Sequence, residues 1–326
     1  MKIKRFLSLM LALALSAQLL ILPAFATEAD GSSPPTESEE ATQTTQPEEN
    51  LAQSIDFGSA SILQGCRTID GMVPLAGSER RLESAQSVFV YDRKTETVIY
   101  SYNPDAKLAP GTLSKLVTAL IVIEQCKLDE VVTCSSKNIS KLPAGSQNVN
   151  LKEGEQLTVD DLLHCLILQS ANDAAVALSE YVAGNMQSFV TMMNDRVKKM
   201  GCTSTEFYNV HGLDNPAQYT TARDMARIYC EAMKNDTFAE LLSSTNYTVP
   251  ETNRSAAREF QSQNYMVDKQ NIIKYKDDRA TSGLPSHTNS AGSSLVCTAE
   301  NKYLDLVCVI MGAHRVYASN GWQFTY

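Results

Sequence analysis

Strand-like segments lie near both ends of the chain, and helix-like segments fill its middle. Val88 to Tyr91 and Thr97 to Tyr100 flank the turn Asp92–Glu96 as a hairpin. Leu295 to Cys297 and Leu304 to Met311 alternate or run apolar around a turn at Asn301–Lys302. That layout predicts a mixed α/β fold: one antiparallel sheet shared by both chain ends, plus a helical subdomain. Regular βαβ repetition, an internal repeat and a G-x-G-x-x-G sequence are all missing, so a dinucleotide fold or a solenoid is excluded.

The helical block reads in detail. A helix starts at Thr112 and runs to about Cys126. Leu113, Leu116, Val117, Leu120, Ile121 and Ile123 cover much of its circumference, which makes it central and buried. Ser135 to Gln156 is a polar, loop-rich stretch. Thr158 and Asp161 form a capping box ahead of the apolar run Leu162 to Leu168. Ser170-Ala-Asn-Asp173 interrupts that helix, and Ala174 to Tyr181 resumes it. A further helix spans about Met186 to Met200 and stops at Gly201, and Thr221 caps another from Ala222 to about Lys234.

The ends carry different information. Lys2, Lys4 and Arg5 precede an apolar run from Phe6 to Leu22, and Ala24-Phe25-Ala26 is a small-x-small cleavage site. Residues 1–26 are read as a secretory signal peptide, with an uncleaved membrane anchor as the rival. Either places the remainder outside the cytoplasmic membrane. From Thr27 to Asp56 there are eight acidic residues and no Lys or Arg, among Ser, Thr, Pro and Gln. Residues 27–59 therefore form a flexible acidic spacer that buries too little apolar area to fold. The folded part is expected at 60–326. The whole chain carries a net charge of -9, which argues against nucleic-acid binding, and its 43% hydrophobic content supports a real core.

Eight cysteines in an exported chain permit disulfides. No C-x-x-C or H-E-x-x-H spacing points to a metal. Several cysteines, such as Cys165, lie in apolar runs and read as buried free thiols. Cys297 and Cys308 flank the second hairpin, where a cross-strand bond is the alternative.

Longer stretches then identify a relative. Leu151 to Asp161, Leu168-Gln-Ser-Ala-Asn-Asp-Ala174, Phe207-Tyr-Asn-Val-His-Gly-Leu213, Tyr219 to Met225 and Asn289-Ser-Ala-Gly292 resemble the D-alanyl-D-alanine carboxypeptidases. These are low-molecular-mass penicillin-binding proteins of the β-lactamase/transpeptidase-like fold. The resemblance covers about residues 80 to 315. It implies acyl transfer on peptidoglycan stem peptides ending in D-Ala-D-Ala, reactivity with β-lactams, association with the membrane or wall, and no cofactor.

The family uses three motifs. The first, S-x-x-K, supplies a nucleophile and a base one helical turn apart. Here it reads Thr112-Leu-Ser-Lys115, with threonine in the nucleophile's place. Its extra methyl crowds a tetrahedral intermediate. Ser114, adjacent to Lys115, faces elsewhere. The second, S-x-N, is intact as Ser170-Ala-Asn172, and implies proton relay by Ser170 and positioning of the lysine by Asn172. The third, K-T-G, binds the substrate carboxylate from a strand. Counted back from Ala291-Gly292 it falls on Leu284-Pro-Ser286, where Leu284 lacks the charge, Pro285 lacks the hydroxyl and Ser286 adds a side chain in place of glycine. Arg279 or Arg315 would have to supply positive charge from elsewhere. Each lost contact removes a few kcal/mol of transition-state binding, roughly a hundredfold in rate.

Three functions stay open on these residues. One is carboxypeptidase chemistry, with Thr112 acylated, Lys115 as base, and Ser170 and Asn172 assisting. Another is a non-catalytic envelope protein binding peptidoglycan peptides or a wall-synthesis partner. The third is altered acyl transfer on a substrate without a carboxylate. The sequence stops at Tyr326, about where the family's last helix begins, so the domain is expected to lack that helix and one face of its sheet to lack that cover.

Overall fold

The computed structural model describes residues 85–267, 277–314, 316–317 and 323–324. Residues 1–26 and 27–59, read from the sequence as a signal peptide and a spacer, lie outside the described residues, as do Cys66 and Arg315.

The shared sheet is as the sequence predicts. Strands β1 (Ser87–Asp92) and β2 (Thr97–Tyr102) form the first hairpin. Strands β7 (Ala280–Thr288), β8 (Gly292–Glu300) and β9 (Asp305–Ala313) form a meander. β9 pairs antiparallel with β1, with Phe89 opposite Val309, and gives the order β2-β1-β9-β8-β7. β7 is therefore an edge strand, which is where a proline such as Pro285 is tolerated. The short strands β3 (Val131–Thr133) and β4 (Gln156–Thr158) pair with each other, as do β5 (Asn246–Val249) and β6 (Arg258–Gln261). Val316–Tyr317 and Gln323–Phe324 form a last two-stranded pair, β10 and β11.

Seven helices are described: α1 (Lys115–Gln125), α2 (Ser136–Ile139), α3 (Val159–Leu168), α4 (Asn172–Ala183), α5 (Met186–Lys199), α6 (Ala222–Ala232) and α7 (Asp236–Ser243). The capping box at Thr158 and Asp161 is formed in both directions. Thr221 accepts from the Asp224 backbone N–H and starts α6. Two helix starts differ from the sequence reading: α4 begins at Asn172 rather than Ala174, and the central helix begins later than Thr112. Gly111–Ser114 is a 3-10 turn, and the α-helix begins only at Lys115. Gly111 has φ +53°, a left-handed entry that an α-helical first turn does not use. The polar stretch 135–156 also holds α2 and the start of β4, which its composition did not reveal.

α1 sits at the centre. Every residue from Lys115 to Val122 is buried, and the helix packs against α3, α4, α5, α6 and α7. Leu116 and Leu120, fully out of water, each contribute about 1.5–3 kcal/mol. α6 lies on β1 and β9. Alternation in β1 sends Phe89 and Tyr91 into this main core. Val88 and Val90 join Tyr100 and Ile310 in a second buried cluster.

The cysteines divide as the spacings allow. Cys126, Cys134, Cys165, Cys202, Cys230, Cys297 and Cys308 are all free thiols. Cys297 and Cys308 stand directly opposite on β8 and β9 as free thiols.

Candidate active site

The 3-10 turn, the break between α3 and α4, the loop after α5 and the edge strand β7 converge on one place. The turn carries Thr112 three residues before Lys115, the spacing that aligns side chains in 3-10 geometry. Lys115 is fully buried, yet it is an amine. Its Nζ donates to Asn172 Oδ1 at 2.8 Å and to the His211 carbonyl at 2.5 Å. Burial pulls its pKa from 10.5 down to about 7, and the Asp173 carboxylate opposes that shift. A neutral amine has two N–H donors and one lone pair. Both donors are used by these carbonyl oxygens, which leaves the lone pair for a proton.

Asn172 is held there by a local break in the helix. Ser170 adopts φ +51°, a left-handed conformation unusual for serine. Ala171 N–H still reaches the Cys165 carbonyl at 3.2 Å, and Asn172 N–H donates to the Gln147 carbonyl at 2.8 Å. Asp173, buried in the first turn of α4, accepts from the backbone N–H of Val149 and Leu151 at 3.0–3.1 Å. This carboxylate fixes the preceding loop against the helix start. The Ser170 hydroxyl is buried and has no hydrogen-bond partner among the described residues. So is that of Ser114, which the sequence had excluded as a nucleophile.

His211 lies within the stretch Phe207 to Leu213, whose residue pattern assigns it no role. Its contribution is a backbone carbonyl, which no residue-type pattern reports. The loop is anchored by Asn194, which exchanges two hydrogen bonds with the Phe207 backbone, and by Thr118, which donates to the Val210 carbonyl. Gly212 has φ +81°, and a Cβ there would strike the Gly111 carbonyl and the Ser114 hydroxyl. Burial, and secondarily Lys115, lower the His211 ring to about 3. Its Nδ1 accepts from Leu213 N–H at 3.2 Å.

β7 holds the three positions that the sequence pattern aligned with K-T-G. Leu284, placed by the sequence among the substrate-binding positions, is 2% exposed and belongs to the main core. It faces inward because the strand alternates and a leucine gains by burial there. Pro285 is half-buried at the sheet edge. Ser286 reaches the site: its Oγ accepts from the Thr112 backbone N–H at 2.8 Å. Arg279 is bound bidentate to Asp277. It lies five residues from Leu284, about 16 Å along an extended strand, too far to replace a lysine there.

The described residues hold no group of three or more His, Cys, Asp or Glu side chains suited to a metal. A groove of about 620 Å³ opens beside the break, lined by Gln169, Tyr247, Gln261, Gln263 and Tyr265 among others. Gln169, next to Ser170 in sequence, donates to the Gln261 carbonyl at 2.9 Å.

A family model described as D-alanyl-D-alanine carboxypeptidase matches residues 76–315. The chain is 33% identical over 238 residues to D-alanyl-D-alanine carboxypeptidase DacC of Escherichia coli (strain K12), covering 70% of this chain and 56% of that protein. It is 29% identical over 234 residues to DacF of Bacillus subtilis (strain 168), covering 70% and 57%. The chain therefore spans a little over half the length of these curated relatives. Among solved structures, it resembles the D-alanyl-D-alanine carboxypeptidase from Mycobacterium tuberculosis H37Rv with a TM-score of 0.63 and 26% identity, over 73% of this chain and 85% of that one. It resembles penicillin binding protein 6B from Escherichia coli with a TM-score of 0.60 and 29% identity, over 73% of each.

Proposed function

Because the chain belongs to the D-alanyl-D-alanine carboxypeptidase family, we propose that it transfers the acyl group of a peptidoglycan stem peptide ending in D-Ala-D-Ala to Thr112, slowly, and releases it to water. The observation that carries this reading is the Lys115 amine, buried, tuned to about 7 and held by Asn172. A lysine that kept its ordinary pKa would be charged and could not accept a proton at neutral pH.

In the acylation step the Thr112 hydroxyl gives its proton to the Lys115 lone pair as Oγ1 bonds to the carbonyl carbon. The carbonyl oxygen takes the displaced electron pair. Collapse re-forms the C=O bond and breaks the C–N bond. The departing nitrogen takes a proton from Lys115 through the Ser170 hydroxyl. Water then repeats the sequence against the ester. The slow rate follows from Leu284-Pro-Ser286, which offers no cation to the substrate carboxylate. We place this body behind a signal peptide at 1–26 and the acidic spacer at 27–59, in the cell envelope. No helix among the described residues is long and apolar enough to cross a membrane.

Intact mass after incubation with a penicillin tests the nucleophile. The expected result is a gain of one drug molecule that Thr112→Ala abolishes. Folded protein without an adduct would sink the enzyme reading. The burial of Leu284 in the core favours a second reading, a non-catalytic binder of the same peptides or of a wall-synthesis partner. Binding of a D-Ala-D-Ala peptide without release of D-alanine would select it.

A further inference from the structure

We infer that Ser286 is a built-in latch: its hydroxyl occupies the backbone donor of Thr112 that would otherwise stabilise the oxyanion formed during acylation. The inference rests on Thr112 as the nucleophile. Attack by Oγ1 develops negative charge on an oxygen two bonds away, within reach of the nucleophile's own backbone N–H. Serine hydrolases use that N–H as an oxyanion donor. Here it already donates to Ser286 Oγ at 2.8 Å, and both residues are buried.

The packing leaves little room beside this bond. A Cβ on Gly111 would come within 2.6 Å of Ser286 Oγ and 3.1 Å of the Ala291 side chain. The edge strand and the 3-10 turn are thus in near contact at the point where a substrate oxygen would enter. An incoming carbonyl has to displace the Ser286 hydroxyl to reach the donor. Rotation about the Cα–Cβ bond of Ser286 moves that hydroxyl while the backbone stays fixed. Glycine at this position, the residue of the K-T-G pattern, would have no hydroxyl to displace.

The test is the rate of penicillin acylation, followed by intact mass on the full chain. Wild type is compared with Ser286→Gly and Ser286→Ala, and each with Thr112→Ala added. Loss of a single oxyanion donor lowers rates by about 10²–10³. Freeing one that is occupied for most of the time should therefore raise acylation at least tenfold in both Ser286 variants, and the added Thr112→Ala should abolish it. Ser286→Ala keeps the strand intact should the glycine weaken it. Unchanged rates in folded variants would overturn the latch, while a Thr112-dependent wild-type adduct would leave the enzyme reading standing. A fall in rate would also overturn it, since the hydroxyl would then be aiding the oxyanion. Adduct in the variants but none in wild type would support the latch and refute turnover by the natural protein. Adduct in none of them would overturn both.

Discussion

Lys115 shows how one side chain couples stability to chemistry. Its folded pKa of about 7 lies below the ordinary 10.5 because charge is costly without water. Between those values the unfolded chain binds a proton that the folded chain does not, so stability rises with pH across that window. Relative to Lys115→Met, the wild type should gain about 2 kcal/mol between pH 7 and 9, measured by urea denaturation at both values. A flat difference would mean that the amine stays charged when buried. The same group sets the acylation profile. The penicillin acylation rate should climb about tenfold per pH unit below 7 and level off above it. His211 follows the same sign at lower pH. Its ring is neutral down to about 3, so its contribution to stability grows from there to the ordinary 6.5.

At the scale of elements, the most legible features were those governed by neighbours in sequence. Thr158 with Asp161, Thr221, and the apolar circumference of the central helix each predicted what formed, because capping and amphipathicity act within a few residues. The break at Ser170 was legible as an interruption. Its left-handed backbone and the loop that satisfies it were not, since they depend on Gln147 and Val149. The hydrogen bond from Thr112 to Ser286 joins residues 174 positions apart. Sequence indicated only that a side chain replaced a glycine, and nothing in the spacing reports where its oxygen lands. Asp173 is the element-scale test. Its carboxylate is the buried acceptor for Val149 and Leu151, and Asp173→Ala should cost about 2–4 kcal/mol in urea denaturation. It should also slow acylation, because the start of the helix bearing Asn172 loses its anchor. A loss below 0.5 kcal/mol would show that the loop is held by other bonds.

For the whole molecule, the decisive strand is β9. It lies between β1 and β8 and is the only link in the sheet between the N-terminal hairpin and the β7–β8 pair. A chain ended at Glu300 should leave two separate hairpins, each marginal alone. It should lose cooperative thermal unfolding, read by circular dichroism, and become sensitive to limited proteolysis. A cooperative transition in that shortened chain would show that the helical block stands without the completed sheet.

The same pairing of β1 with β9 governs the order in which a newly made chain can fold. Ser87 to Asp92 leave the ribosome more than two hundred residues before the strand they bond to. Closing so distant a pair is slow, whereas the helices between them form from local contacts. The first hairpin therefore waits with an unpaired edge, the feature through which strands seek wrong partners. A protein of this topology needs that edge shielded until the last strand arrives, and its yield on refolding should fall steeply with concentration.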